Sequence, residues 1–174
     1  MSAIIINEYK ELLAKKNEIE QRLPYLPEGY ISEKNIKGKQ YYYLQNRING
    51  KLRSKYLKGN EIEEVKENVG LSKKYKAELP QIEVRLGELE QAAKLIDKSI
   101  ARQLTLLKLS CGMDSLSNAQ KSSSVSFANT LNAIEGVYAS NTLEQNVDKW
   151  KAGEETFISI FKSTLTMYGF AVEV

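Results

Sequence analysis

The dipeptide Asn49-Gly50 constrains this chain more than any other two residues. It separates two runs rich in tyrosine, β-branched residues and lysine, residues 40–48 and 51–57. A two-residue type I′ turn needs positive φ at both central positions, and Asn-Gly meets that need best. Such a turn fixes the register: Ile48 opposite Lys51, Leu44 opposite Lys55, Tyr43 opposite Tyr56. Side chains alternate along a strand. One face therefore collects Tyr41, Tyr43, Arg47, Leu52 and Tyr56, and the other Tyr42, Leu44, Ile48, Lys51, Arg53 and Lys55. Residues 30–36, ahead of a turn at Lys37-Gly38-Lys39, complete a three-stranded antiparallel meander.

Helical patterns flank the meander. Ile5, Tyr9, Leu12, Ile19 and Leu23 recur at helical spacings over residues 3–23, and Pro24 and Pro27 end that run. Asn60 is an N-cap candidate, followed by Glu61, Glu63 and Glu64 in the favourable first turn. Gly70 and Pro80 punctuate that segment, and a long helix is expected after Pro80. Ile82, Leu86, Leu89, Ala93, Ile96, Ile100, Leu104 and Leu107 then recur at steps of four and three, a coiled-coil seam. Residues 3–23, returned antiparallel by the sheet, are its natural partner. The seam outruns that partner, which leaves room for a contact with the C-terminal part or with a second copy of the chain.

Serines at 110, 115, 117, 122, 123, 124 and 126 mark a linker, placed at residues 110–120. Three short helices follow, over 118–135, 141–152 and 156–168. The expected fold is α+β: an antiparallel two-helix coiled coil joined by a three-stranded antiparallel sheet, then a small C-terminal bundle. The expected domains are residues 1–109 and 121–174.

Charge is divided unevenly. Residues 30–58 hold eight Lys or Arg and one acid, Glu33, whereas residues 115–174 hold four Lys and six acids. A basic sheet and a mildly acidic tail suggest two tasks. The chain contains no histidine, so Ser-His and Cys-His catalysis and most catalytic zinc sites are excluded. No phosphate-cradling or dinucleotide glycine pattern occurs, and nothing singles out a carboxylate pair. No catalytic residue, metal or cofactor is expected. The lone Cys111 has no visible activating partner. No apolar run approaches a membrane span, and the first residues lack a signal-peptide pattern, so a cytoplasmic location is expected.

One carboxylate stands out. If Gly136 stops a helix, Glu135 occupies its last turn, where a negative charge is disfavoured by about 0.3–1 kcal/mol. Such a residue awaits a cation from elsewhere.

The segment from about residue 120 to 170 resembles the small VbhA-type antitoxins that inhibit Fic-domain AMP-transferases. The matching residues are Ile134-Glu135-Gly136, Ser140, Trp150-Lys151-Ala152-Gly153-Glu154-Glu155-Thr156 and Tyr168-Gly169. The resemblance implies that Glu135 pairs with an arginine of the Fic motif and blocks the γ-phosphate position. It makes Leu131, Ile134, Glu135, Gly136 and Trp150 the partner-binding candidates. The family carries Ser or Thr four residues before the Glu. Here Leu131 stands there, and Thr130 would point about 100° away on a helix. A docking helix is therefore supported more firmly than inhibition. Residues 3–105 resemble an uncharacterised bacterial domain of mobile elements, on Leu26-Pro27-Glu28-Gly29-Tyr30-Ile31, Ile36 to Gln45 and Gly50 to Leu57. That resemblance implies architecture and no activity.

These readings make the chain a non-enzymatic, antitoxin-like protein that binds a partner enzyme, a toxin or a host enzyme. The alternative is a nucleic-acid-binding or anti-defence protein, such as a phage or plasmid inhibitor of a host nuclease. There Lys37, Lys39, Tyr43, Arg47, Lys51, Arg53 and Lys55 would meet DNA or RNA, lysines on phosphates and tyrosines on bases. The sheet looks, in outline, like the arm-binding domains of integrases.

Overall fold

A computed structural model describes residues 2–134, 136 and 138–169. The element order is α1 (Ser2–Arg22), a single 3₁₀ turn, β1 (Tyr30–Ile36), β2 (Lys39–Ile48), β3 (Lys51–Leu57), α2 (Ile62–Ile96), α3 (Lys98–Asp114), α4 (Asn118–Ile134), α5 (Asn141–Ala152) and α6 (Phe157–Met167). The fold is α+β, as the sequence implied. The chain divides into two compact units, residues 18–85 and residues 1–17 with 86–174.

In the unit of residues 18–85, the sheet is a meander in the order β1-β2-β3, all antiparallel. The register is the one the turn demanded: Ile48 opposite Lys51, Leu44 opposite Lys55, Tyr43 opposite Tyr56. Asn49 and Gly50 have φ of 51° and 77°, as a type I′ turn requires. Lys37 and Gly38 form the other tight turn, with φ of 52° and 79°. Leu57 is fully buried, and Lys66 of α2 places its ammonium 5.3 Å from the Tyr42 ring centre. Both Leu57 and Tyr42 lie on the face that carries Leu44, so this is the face turned to α2. Arg22 of α1 lies over the Tyr75 ring of α2, and Lys76 of α2 pairs with Glu28.

In the other unit, Tyr9 of α1 donates to Glu90 of α2 at 2.7 Å. On α1 the buried positions are Ile5, Tyr9, Leu13 and Ile19, so Leu13 takes the place expected of Leu12.

Two expectations about the long helices need correction. Pro80 does not begin a helix; it lies inside the 35-residue α2. A proline in a helix interior costs about 3 kcal/mol. The buried stripe Val69, Ser72, Tyr75, Ile82, Leu86, Leu89 and Ala93 runs straight through it, and packing outweighs the missing hydrogen bond. The seam from Ile82 to Leu107 is also not one helix. Asp97 adopts an extended conformation (φ −159°) and its side chain accepts from the Ser99 N–H, which starts α3 afresh. In an unbroken helix Glu90 and Lys108 would stand about 27 Å apart, at 1.5 Å per residue; here they form an ion pair of 2.9 Å. The chain thus turns back on itself at Asp97. Ile96, at the corner, is half exposed, whereas Ile100 and Leu104 are buried within the same chain. Of the two contacts expected for the surplus seam, the one with the C-terminal part is present, as α3 packs against α6.

The serine-rich stretch is not an extended linker. Residues 110–114 are the last turn of α3, and the connection to α4 is confined to residues 115–117. Ser140 caps α5 by accepting from the Leu143 N–H, and Gly153 closes it at φ 80°. Gly136, with φ 73°, follows the end of α4 as expected, while Glu135 lies outside the described residues.

Candidate functional site

Sheet register decides which of the candidate cations act together. The face with Tyr43 carries Tyr30, Lys34 and Ile36 from β1, Lys39, Tyr41, Gln45 and Arg47 from β2, and Leu52 and Tyr56 from β3. No strand residue on this face is acidic; Glu33 lies opposite Tyr42 on the other face. Tyr56 sets its ring 6.2 Å from that of Tyr41 and 5.6 Å from that of Tyr43, the second contact edge-on. Lys34 holds its ammonium 5.2 Å from the Tyr43 ring centre, a cation–π contact. Tyr30, Ile36, Leu52 and Tyr56 are each about half exposed, and Lys34, Lys39 and Arg47 are exposed. The result is a ledge of aromatic rings bordered by cations.

Lys51, Arg53 and Lys55 lie on the opposite face of β3, and Lys37 sits in the β1–β2 turn. The seven expected nucleic-acid contacts are therefore not one surface. Lys39, Tyr43 and Arg47 stand together, joined by Lys34, Tyr41 and Tyr56. Strand alternation in the sequence already placed Tyr43 and Arg47 on one face and Lys51, Arg53 and Lys55 on the other.

The partner-binding candidates also divide. Leu131 is half exposed and Ile134 mostly exposed, as is Phe127 on the same stripe of α4 and Tyr138 beyond its end. Val125 is half-buried, and Phe127 and Ile134 lie about 160–180° around the helix from it. These apolar side chains are not the core stripe of the bundle. From residue 122 to 143 the only charged residue is Glu135.

Trp150, expected at a partner surface, is instead buried, at 2% exposure. Its indole N–H donates to Asp114 Oδ1 at 2.8 Å. Lys121 lies beneath the indole, 5.0 Å from the ring centre, and donates to the Trp150 carbonyl at 3.1 Å. Asp114 Oδ1 also accepts from the Phe157 N–H at 2.7 Å, and Ser110 accepts from the Ile158 N–H at 3.2 Å while donating to Asp114 Oδ2. With Thr156 accepting from Ser159, three of the four free N–H groups opening α6 are satisfied by side chains. Trp150 is thus a structural anchor. The sequence signal was a Ser and an Asp spaced by four at the end of a helix, which composition alone reads as linker.

Residues 9–67 match the model of a domain of unknown function, DUF6788. The match covers most of α1, the whole sheet and the first turns of α2, so the aromatic ledge lies within it. No curated protein and no solved structure matches the chain, and no match is to an antitoxin. No helix among the described residues is long and apolar enough to cross a membrane.

Proposed function

We propose that this chain is a non-enzymatic, cytoplasmic binding protein whose sheet holds single-stranded nucleic acid. The observation that carries the reading is the Tyr41–Tyr56–Tyr43 cluster flanked by Lys34, Lys39 and Arg47 on a face with no carboxylate. Phosphates pair with the cations, and unpaired bases stack on exposed tyrosine rings at about 1–3 kcal/mol per base. Ionic contacts to phosphate and stacking on rings do not read base identity, so little sequence preference is expected.

Fluorescence anisotropy with a labelled oligothymidine and a matched duplex tests this. The wild-type chain should prefer the single strand, with log K falling linearly in log salt. Replacing Lys34, Lys39 and Arg47 by Ala should flatten that slope by about 0.7 for each phosphate that is no longer neutralised. The triple Ala variant of Lys51, Arg53 and Lys55 should keep the slope. If only the second variant loses binding, the opposite face is the interface; absence of binding at low salt removes the proposal.

A second reading is favoured by the exposed stripe Phe127, Leu131 and Ile134. On this reading α4 docks on a partner enzyme in the manner of the VbhA-type antitoxins, with Glu135 reaching an arginine of a Fic-type AMP-transferase. AMP-transfer by such an enzyme, with and without this chain and its Glu135→Ala variant, tests it. Unchanged activity in the presence of wild-type chain removes it.

A further inference from the structure

A cleft of about 590 Å³ opens between the end of α2, α3 and α6. Its apolar wall is built by Ala101, Leu106 and Phe161, and its charged residues are Lys94, Arg102, Lys108 and Glu90. The volume falls within the range of about 300–1,000 Å³ usual for small-ligand sites. The charge is not balanced. Glu90 is already engaged, accepting from the Tyr9 hydroxyl at 2.7 Å and from Lys108 at 2.9 Å. Lys94 and Arg102 are exposed and have no hydrogen-bonded or ion-paired partner among the described residues. An apolar wall beside three cations and one carboxylate, the latter already bonded to Tyr9 and Lys108 and in the field of Lys94, is complementary to a molecule that is apolar along its body and anionic at one end. A phosphate alone would leave Phe161 and Leu106 unused. A neutral apolar molecule would leave Arg102 and Lys94 unused.

We propose that this cleft binds a single-chain amphiphile with a carboxylate head. The hydrocarbon lies on Ala101, Leu106 and Phe161, and the carboxylate meets Arg102, whose planar fork suits bidentate pairing, with Lys94 beside it. The structure supplies its own reporter. Phe161 is stacked on Phe157 at 6.3 Å, and Phe157 stands edge-on to Trp150 at 5.7 Å, the one tryptophan of the chain. A ligand seated against Phe161 perturbs that relay.

The experiment titrates the full chain with dodecanoate below its micelle concentration, reading Trp150 fluorescence and calorimetric heat together. One saturable site is expected. Dodecanol should bind at least tenfold more weakly, and Arg102→Glu, a change at an exposed position, should weaken dodecanoate at least tenfold. Arg102→Lys should retain most of the affinity, and Ala101→Phe, which fills the cleft, should abolish it. Non-saturating adsorption, equal affinity for dodecanol, or wild-type affinity in both Arg102→Glu and Ala101→Phe overturns the proposal.

Discussion

The indole N–H of Trp150 meets the carboxylate of Asp114 at 2.8 Å, and the same oxygen accepts from the first N–H of α6. Asp114 stands in the last turn of α3, the end of a helix where a negative charge is disfavoured. It is stabilised by a second helix that arrives with its positive end. One side chain therefore ties α3, α5 and α6 together. Asp114→Ala would remove the acceptor of three donors, the Trp150 indole, the Phe157 N–H and the Ser110 hydroxyl, at about 1–3 kcal/mol for each buried one that finds no other partner. We expect a total loss of about 2–4 kcal/mol in urea titrations followed by Trp150 fluorescence. Asp114→Asn keeps an acceptor and loses only the charge beside the α6 terminus, so about 1 kcal/mol is expected.

Lys121 presents a rarer situation, a buried lysine held by a carbonyl and an aromatic face. Lys121→Met keeps the apolar stem and removes the ammonium. The loss should be about 1–2 kcal/mol, from one hydrogen bond and one cation–π contact. Lys121→Glu should be far more damaging, about 3–5 kcal/mol, because it buries an uncompensated carboxylate against the C-terminal carbonyls of α5. Equal stabilities of the two variants in urea would show that the site opens to water.

What could be read beforehand was what local chemistry dictates. Asn49-Gly50 set the turn and hence the face of every strand residue, and Ser140, Gly136 and Gly153 punctuated the C-terminal helices. What could not be read depended on competition between distant contacts. Pro80 signals a break, and only the packing of Tyr75 and Ile82 on either side of it shows that α2 continues. The seam hid the reversal at Asp97, although its even 3-4 rhythm falters there, Ile96, Ile100 and Leu104 standing four apart twice. Trp150 carried no mark of burial, because Asp114 and Lys121, which close on it, lie 36 and 29 residues earlier in the chain.

Gly29 should be the least replaceable glycine of the sheet. Its φ is 120°, and a Cβ built there would lie 2.1 Å from the Gln45 carbonyl oxygen, in the adjacent strand's backbone. Strain of about 1–3 kcal/mol adds to that clash, so Gly29→Ala should cost at least about 3 kcal/mol. Gly50→Ala also has positive φ (77°), but nothing lies within 4 Å of its added methyl group. Only the left-handed penalty of about 1–2 kcal/mol remains there. Thermal unfolding by circular dichroism should rank the two in that order.

Tyr9 and Glu90 give the chain a pH signature at both ends of the scale. Hydrogen bonds from Lys108 and then Tyr9 hold the Glu90 carboxyl below the usual carboxylate range. A lowered folded pKa stabilises above the unfolded value of about 4.3, and that contribution disappears as pH falls through the folded value. Burial, and then the bond to Glu90, push the Tyr9 hydroxyl up. A raised folded pKa stabilises fully below the unfolded value of about 10. Above it the unfolded chain ionises first, and stability falls by up to about 1.4 kcal/mol per pH unit. Tyr9→Phe should remove that alkaline slope while costing about 1 kcal/mol at neutral pH. Glu90→Gln should instead flatten the acid limb. Urea midpoints measured from pH 3 to pH 11 for the three proteins would decide, and an alkaline slope that persists in Tyr9→Phe would assign it to another group.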